Sequence, residues 1–293
     1  MNNKLSDGAE ALGFPLSDEE MRLFGLYIEE LLKWNAKVNL TAITEPDEII
    51  IKHFLDSLAL LRILPDFGQG PPPAKAHGHA ARMAPPRPAP VSRTDTGQAA
   101  QKFQKAGRDH DAGLDVLARR GSQASGACIP ETSGSDSSRT APVGLTFGRF
   151  TACDIGSGAG FPGLALKIVL PEMDIALVEP ARKKAAFLRH VIRTLGLSGA
   201  RVMEARVEGL KNPSFDMAFS RAFKSLGELL KLAAPILKDR GRPTGGGCVA
   251  QSLSLQDAEA LNRNLPGWEI AREEEITLPF SDIRRRLILL QKK

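Results

Sequence analysis

The sequence has 293 residues and a formal net charge of +5 at pH 7, and most of the excess lies between residues 66 and 150, where eleven Lys and Arg stand against seven Asp and Glu. Three cysteines without a paired spacing argue against a disulfide scaffold or a zinc site built on thiolates, and no metal site is expected. No apolar run reaches the ~18 residues of a membrane span, so we expect a cytoplasmic protein without a membrane partner.

Two amphipathic helices are predicted near the N-terminus. The first begins at Ser17, which has the capping-box spacing to Glu20, and the second has Thr44 as its N-cap and Pro46 in its first turn. Their apolar residues recur at helical spacing: Met21, Phe24, Ile28, Leu31 and Leu32, then Ile50, Phe54, Leu58 and Leu61. This pattern predicts a helical extension over residues 1–67.

Residues 68–149 differ in character from the rest of the chain. The stretches GQGPPPAKAHGHAARMAPPRPAPVSRTDTG and GSQASGACIPETSGSDSSRTAP are rich in Pro, Gly, Ser and Ala, with almost no aromatic residues. A segment of this composition buries too little apolar surface to offset its chain entropy. We therefore predict a disordered, low-complexity insertion, in which His77 and His79 are solvated rather than metal ligands.

From residue 150 onward, strand-like runs alternate with amphipathic helices, which is typical of a mostly parallel sheet with helices on both faces. The predicted strands are FTACDI (150–155), DIALVE (174–179), ARVMEA (200–205), FDMAFS (215–220) and a run near GGCVAQSL (246–253), followed by an antiparallel pair at 268–278 and 285–291. Helices are predicted over 181–195 and 225–237. The predicted fold class is α/β and Rossmann-like, with residues 150–293 forming one domain together with the N-terminal extension.

The stretch CDIGSGAGFPGLAL (153–166) places a glycine turn between a strand and a helix. Such a turn presents bare N–H groups and a helix N-terminus to a nucleotide-like ligand. The dinucleotide fingerprint requires a glycine where Phe161 stands, so the pattern is G-x-G-x-G, at Gly156, Gly158 and Gly160, and a dehydrogenase is disfavoured. The motif resembles that of the class I S-adenosylmethionine-dependent methyltransferases, in which an acid such as Glu179 binds the ribose hydroxyls.

Six longer sequence motifs make the resemblance more specific: KWNAKVNLTAI (33–43), KHFLDSL (52–58), DIGSGAGFPG (154–163), RKKAAFLR (182–189), ARVEGL (205–210) and FDMAFSRAF (215–223). In this order they resemble the bacterial small-subunit ribosomal RNA guanine-N7 methyltransferases, also called glucose-inhibited division protein B. The resemblance implies S-adenosylmethionine as the methyl donor and N7 of a guanine in 16S ribosomal RNA as the acceptor.

The resemblance also implies the residues of the site. Gly156 and Phe161 would contact the cofactor. Val207 and Glu208 would border its adenine, and Arg221 would lie at the junction of cofactor and substrate. The more general motif adds Asp154, Gly158, Gly160 and Glu179. The leading helices would form an N-terminal lid, with Asn35, Asn39, His53, Asp56 and Ser57.

The chemistry of N7 methylation requires few groups from the protein. Guanine N7 carries a free lone pair at neutral pH, so no catalytic acid or base is assigned. Cytosine C5 methylation would require a thiolate, and none of the three cysteines is suitably placed. The segment NPSF (212–215) resembles the N-P-P-Y box of exocyclic-amine methyltransferases, but it precedes strand four, so we interpret it as a turn.

Two clusters keep more than one interpretation. His53 and Asp56 share a helix face and could form an acid/base or metal pair, although such a pair more often fixes helix packing. Arg182, Arg189 and Arg193 form a narrow basic stripe, which is either a solvated face or a surface for phosphates.

The sequence departs from the family pattern at two places. The insertion is far longer than an ordinary loop, and Gln251 and Ser252 stand where relatives carry a lysine, a loss that could lower the affinity for RNA. The alternatives are therefore a methyltransferase acting on another RNA or a protein, or a non-catalytic ribosome assembly factor that retains the cofactor pocket. A monomer is favoured.

Overall fold

The computed structural model describes residues 3–65, 148–210, 214–221, 225–239, 247–260 and 265–293, and the structural statements below refer to these. The predicted insertion, with His77 and His79, lies outside the described residues apart from its last two positions. Asn212 and Pro213 lie outside them as well. The described segments before and after residues 66–147 belong to one compact unit.

The first two helices are α1 (Asn3–Ala11), which the sequence did not predict, and α2 (Asp18–Val38). The capping box predicted for α2 is confirmed, because Ser17 Oγ accepts the N–H of Glu20 and the Glu20 carboxylate accepts the N–H of Ser17. α1 buries only Leu5, Gly8 and Ala9, too short an apolar pattern to be read as a helix from the sequence.

The second predicted helix is a continuous run of four short segments: α3 (Pro46–Ile49), a π-helical segment (Ile50–Leu55), α4 (Asp56–Ala59) and a 3-10 turn (Leu60–Arg62). The predicted Thr44 cap is wrong, since Glu45 is the N-cap and makes no side-chain capping bond. Pro46 at the first helical position has no N–H, so this end has one donor fewer to satisfy. Every residue from 53 to 61 is buried, which places this run in the core.

A seven-stranded sheet forms the rest of the fold, in the order β3-β2-β1-β4-β5-β7-β6. The strands are β1 (Thr151–Ile155), β2 (Asp174–Val178), β3 (Ala200–Met203), β4 (Met217–Ser220), β5 (Cys248–Ser254), β6 (Trp268–Thr277) and β7 (Arg284–Lys292). The first five strands are parallel, and β7 pairs antiparallel with both β5 and β6. The Rossmann-like α/β prediction is therefore confirmed.

The connecting helices are α5 (Gly163–Val169), α6 (Arg182–Leu195), α7 (Leu226–Ala233) and α8 (Leu255–Glu259). Three predicted ends differ from the structure by two residues or more, and one of them is the start of β4, which lies at Met217 rather than at 215. β3 stops at Met203 rather than at 205, because the chain turns back and the N–H of Ala205 bonds to Met203 O. α7 stops before residue 237, since Pro235 has no N–H for a helical bond and a 3-10 turn (Ala234–Ile236) follows.

The sheet order reverses between β1 and β4, with α5, α6 and the N-terminal helices packed on one face and α7 on the other. Ligands of open parallel sheets bind at the carboxyl ends of the strands at such a reversal. The glycine turn follows β1 and Arg221 follows β4, so both lie at this point. In the described part of the chain, no helix is long and apolar enough to cross a membrane.

Candidate functional site

The glycine turn begins directly after β1. Gly156, Gly158 and Gly160 have φ angles of 72°, 57° and 94°, a region that residues with side chains rarely adopt. The N–H of Gly156 donates to Val178 O at 2.9 Å, which bonds the turn to the end of β2. The turn is therefore held at the carboxyl edge of two neighbouring strands.

These glycines differ in what surrounds them. A Cβ at Gly156 would meet nothing within 4 Å, and one at Gly158 would meet only a backbone oxygen at 3.9 Å. A Cβ at Gly160 would instead collide with the Tyr27 hydroxyl. Gly156 and Gly158 thus leave an open face, whereas Gly160 is required by packing within the protein; its assignment to cofactor binding stays a prediction.

Glu179 follows β2 and is buried against the glycine turn. Its Oε2 accepts the N–H of Gly158 at 2.9 Å, and its Oε1 accepts the N–H of Ala181 at 2.8 Å. The structure thus brings the predicted ribose-binding acid into direct contact with the open part of the turn. Each carboxylate oxygen has a second lone pair, so a ligand hydroxyl could still donate to it.

Asp154 lies near the end of β1 and is fully buried. Its Oδ2 accepts the N–H of Gly163 at 3.1 Å, and a Cβ at Gly163 would lie 2.6 Å from this oxygen. Its Oδ1 has no hydrogen-bond partner among the described residues. Burial raises the pKa of the Asp154 carboxyl to about 7, although the Gly163 N–H acts in the opposite direction. An unpartnered buried oxygen at this edge fits a donor group of a ligand.

Phe161 packs against aromatic rings of the N-terminal helices. Its ring stacks on His53 with centroids 4.5 Å apart and on Tyr27 at 5.4 Å, and Phe54 lies tilted at 5.6 Å. The Tyr27 hydroxyl also donates to Ala159 O at 2.6 Å. α2 is therefore bonded directly to the glycine turn, while the predicted contact of Phe161 with the cofactor stays a prediction.

Arg221 is bonded to His53 across the site. Its Nη2 lies 2.6 Å from His53 Nδ1, and its Nη1 donates to His53 O at 3.4 Å. The guanidinium also lies 5.6 Å from the Phe161 ring centroid. On the far side of the imidazole, His53 Nε2 lies 2.9 Å from Thr41 Oγ1. Burial and the Arg221 charge lower the pKa of His53 to about 3, so the imidazole is neutral at physiological pH.

Asp56 contacts residues of β5 and β7 rather than His53. Its Oδ1 accepts from Ser252 Oγ at 2.7 Å and from Arg285 Nε at 3.2 Å. These contacts give Ser252 a packing role, and Arg285 places a cation beside the position where the family lysine was expected. Gln251 Oε1 is buried and has no hydrogen-bond partner within the described segments.

Val207 and Glu208 form a 3-10 turn (Val207–Gly209) after β3. Val207 is buried and Glu208 is exposed. Because β2 and β3 are parallel neighbours, this turn lies at the same edge of the sheet as Glu179. Their predicted position beside the adenine is compatible with this placement and stays a prediction.

The described cysteines do not form a nucleophilic centre. Burial raises the pKa of the Cys153 thiol and raises that of Cys248 to about 12, so neither is a thiolate at neutral pH. Cys128 lies outside the described residues. Within the described ranges, no cluster of His, Cys, Asp and Glu could hold a metal ion.

Sequence reasoning missed Tyr27 and Thr41 as parts of the site. Tyr27 is the single tyrosine of the chain and lies within the apolar stripe of α2, a position that requires a partner for its hydroxyl. Thr41 lies in the turn NLTAI, which Asn35 holds by accepting the N–H groups of Leu40 and Thr41. Neither pattern indicates the distant residue that the side chain contacts, which is Ala159 for Tyr27 and His53 for Thr41.

Comparison with known proteins gives the following matches. Residues 20–69 and 137–244 match the family described as GidB, rRNA small subunit methyltransferase G. The ribosomal RNA small subunit methyltransferase G of Desulfitobacterium hafniense (strain Y51) is 30% identical over 97% of this chain and 85% of its own length. The protein of the same name from Myxococcus xanthus (strain DK1622) is 28% identical over 99% and 97%.

Solved structures also show similarity to the chain. TrmN from Thermus thermophilus matches with a TM-score of 0.37 and 19% identity, covering 50% of this chain and 45% of its own. The ribosomal protein L11 methylase from Lactobacillus delbrueckii subsp. bulgaricus matches with a TM-score of 0.39 and 11% identity, covering 50% and 70%.

Proposed function

The chain belongs to the rRNA small subunit methyltransferase G family, and from this premise we propose that it transfers a methyl group from S-adenosylmethionine to N7 of a guanine in 16S ribosomal RNA. The proposed partner is the small ribosomal subunit or its RNA. The proposal includes action in the cytoplasm as a monomer.

One observation carries the proposal: the contact of 2.9 Å between Gly158 N and Glu179 Oε2 at the reversal of the strand order. It joins an open stretch of backbone to a carboxylate on the neighbouring strand. Backbone free of side chains suits the close approach of a ligand, and the carboxylate suits a pair of ribose hydroxyls.

The remaining groups also fit S-adenosylmethionine, which supplies a methyl group already activated on a sulfonium. Asp154 Oδ1, buried without a partner among the described residues, suits the ammonium of the amino-acid part. Glu179 would bind the ribose, while Val207 and Glu208 would border the adenine. In this assignment the carboxylates of Asp154 and Glu179 accept hydrogen bonds from two different parts of S-adenosylmethionine, the ammonium and the ribose.

The protein's contribution to the reaction is positioning. The lone pair of N7 attacks the methyl carbon while the bond from that carbon to the sulfonium sulfur breaks, and the sulfur leaves as a neutral thioether with the electron pair. No proton has to be removed first. His53 could not act as a base, because each ring nitrogen lies within hydrogen-bond distance of a protein group. The buried thiols are equally unsuited to act as nucleophiles. A site that only aligns two partners agrees with the attack of a free lone pair.

The surface of α6 supports an RNA substrate. Between residues 180 and 206 the chain carries seven Lys and Arg but a single acid. Arg182 and Arg193 are exposed and form no ion pair among the described residues, while Arg189 pairs with Glu204 at 2.8 Å. The stripe extends about 17 Å along α6, and its first residue, Arg182, follows Glu179 by three positions in the sequence. A basic surface on the helix that follows the proposed ribose-binding acid suits a phosphate backbone.

The direct test uses small ribosomal subunits that lack the modification. They are incubated with the protein and methyl-labelled S-adenosylmethionine, and the 16S RNA is then cleaved chemically at 7-methylguanosine. One labelled site is expected. The Glu179→Ala protein, assayed at the same donor concentration, is the matched control and should transfer less label.

Each other outcome identifies a different function. Label in another RNA or in a ribosomal protein would support a different methyltransferase. Binding of S-adenosylmethionine in calorimetry without any incorporation would support a non-catalytic assembly factor. Failure to bind S-adenosylmethionine would contradict both the proposed function and the assembly-factor alternative with a cofactor pocket.

A further inference from the structure

Arg221 is a partly buried cation that forms no ion pair with a carboxylate among the described residues. Within the same part of the chain, both of its hydrogen bonds go to His53. The acids that influence it, Asp56 and Asp154, act only at longer range. A guanidinium that is partly removed from water is ordinarily paired with a carboxylate, because the loss of hydration is costly. The use of a histidine in this position therefore requires an explanation.

The contacts of His53 fix its protonation state. A guanidinium can only donate, so the Nδ1 that faces Arg221 must carry the lone pair. The proton then resides on Nε2, which donates to Thr41 Oγ1. The same ring stacks on Phe161. His53 is thus held as one neutral tautomer, with its acceptor aimed at Arg221.

These contacts continue into the N-terminal helices. Asn35 bonds the backbone of Leu40 and Thr41 in three hydrogen bonds of 2.7, 2.9 and 3.0 Å. Thr41 in turn bonds His53, and His53 bonds Arg221. A chain of hydrogen bonds therefore extends from α2 to the end of β4, and it orients a cation at the site without supplying any negative charge.

We propose that His53 is a positioning residue for Arg221: it holds the guanidinium by an uncharged acceptor, so that the positive charge stays available to an anionic oxygen group of a ligand. Two ligands offer such a group at this edge, the carboxylate of the methyl donor and a phosphate next to the target guanine. The inference rests on the proposed function only for the names of these two ligands.

The test compares two variants of nearly the same shape, His53→Asn and His53→Asp. Both keep an oxygen near the position of Nδ1, and both lose the ring that stacks on Phe161. They differ in charge, because the aspartate would pair with Arg221 and neutralise it. Relative to His53→Asn, we expect His53→Asp to be at least as stable in thermal unfolding, yet to bind the anionic ligand about ten- to a hundredfold more weakly.

Two binding measurements identify the ligand. If the Kd of His53→Asp for S-adenosylmethionine is raised in calorimetry, the positive charge of Arg221 interacts with the carboxylate of the methyl donor. If instead the KM for small ribosomal subunits is raised while the Kd for S-adenosylmethionine is unchanged, the charge of Arg221 interacts with a phosphate of the RNA. Equal affinities of the two variants for both ligands, or affinities that simply follow stability, would overturn the inference.

The native protein allows a test that does not depend on either variant. Nitrogen NMR of the imidazole should show His53 with its proton on Nε2 throughout the range from about pH 5 to about pH 8. A protonated Nδ1 anywhere in that range would overturn the inference. This result is independent of methyl transfer, so failure of the proposed function and failure of this inference remain distinguishable.

Discussion

Substitution of Asp154 by Asn should change how the stability of the protein depends on pH. The unfolded carboxyl has a pKa near 3.8, whereas burial raises the pKa in the folded protein to about 7. As pH rises through this interval, the unfolded chain releases its proton first and the folded chain retains it. The free energy of unfolding of the wild type must therefore fall over this range.

The size of the effect follows from the same two pKa values. In the middle of the interval the loss is about 1.4 kcal/mol per pH unit, and it levels off once the folded carboxyl also ionises. Between about pH 5.5 and about pH 8 it amounts to about 2 kcal/mol. The Asp154→Asn variant keeps an oxygen for the Gly163 N–H but cannot ionise. As the pH rises over this range, its free energy of unfolding should therefore increase by about 2 kcal/mol relative to that of the wild type.

The assay is urea unfolding of both proteins at the two pH values, without ligand. The difference between the proteins is the informative quantity, because contributions of all other titrating groups cancel. A difference that does not change with pH would refute the reasoning, since it would mean that Asp154 is already ionised in the folded protein near pH 5.5. The variant should also bind S-adenosylmethionine more weakly, as expected if Oδ1 accepts from the ammonium.

Further predictions concern the turn, its acid and the basic stripe. Glu179→Ala should weaken S-adenosylmethionine binding by about 1 to 3 kcal/mol in calorimetry, through loss of charged hydrogen bonds. Gly160→Ala should lower the free energy of unfolding by more than about 2 kcal/mol, because the new Cβ would meet the tyrosine of α2 at a positive φ. At Gly156 a Cβ meets open space, so Gly156→Ala should lower the free energy of unfolding by only about 1 kcal/mol. The same variant should bind S-adenosylmethionine more weakly. Arg193→Gln should reduce the salt dependence of RNA binding by about one phosphate, and the control Lys231→Gln should not.

Each of these results has a clear contrary outcome. Unchanged donor affinity in Glu179→Ala would mean that the acid only holds the turn. Equal stability losses in the two glycine variants would contradict the division into an open and a packed position. Equal salt slopes for Arg193→Gln and wild type would identify the basic stripe as an ordinary solvated face.

The sequence by itself determined the class of fold, the succession of strands and helices along the chain, and the position of the glycine turn. These features depend on neighbours in the chain: apolar periodicity selects strand or helix, and glycines permit a turn with positive φ. The same local signals located the capping box at Ser17. They failed at Thr44, where Pro46 alters the first turn, and at α1, whose apolar pattern is short.

Only the tertiary structure decided how the site is held together. The contacts of Tyr27 with Ala159, of His53 with Arg221 and of Asp56 with Ser252 join residues 132, 168 and 196 positions apart. No local pattern specifies such a pair, because each contact depends on how the helices pack against the sheet and on the register that this packing fixes. For this reason the sequence could predict only that His53 and Asp56 are neighbours on one helix. In the fold, His53 contacts Arg221 directly after β4, whereas Asp56 contacts β5 and β7.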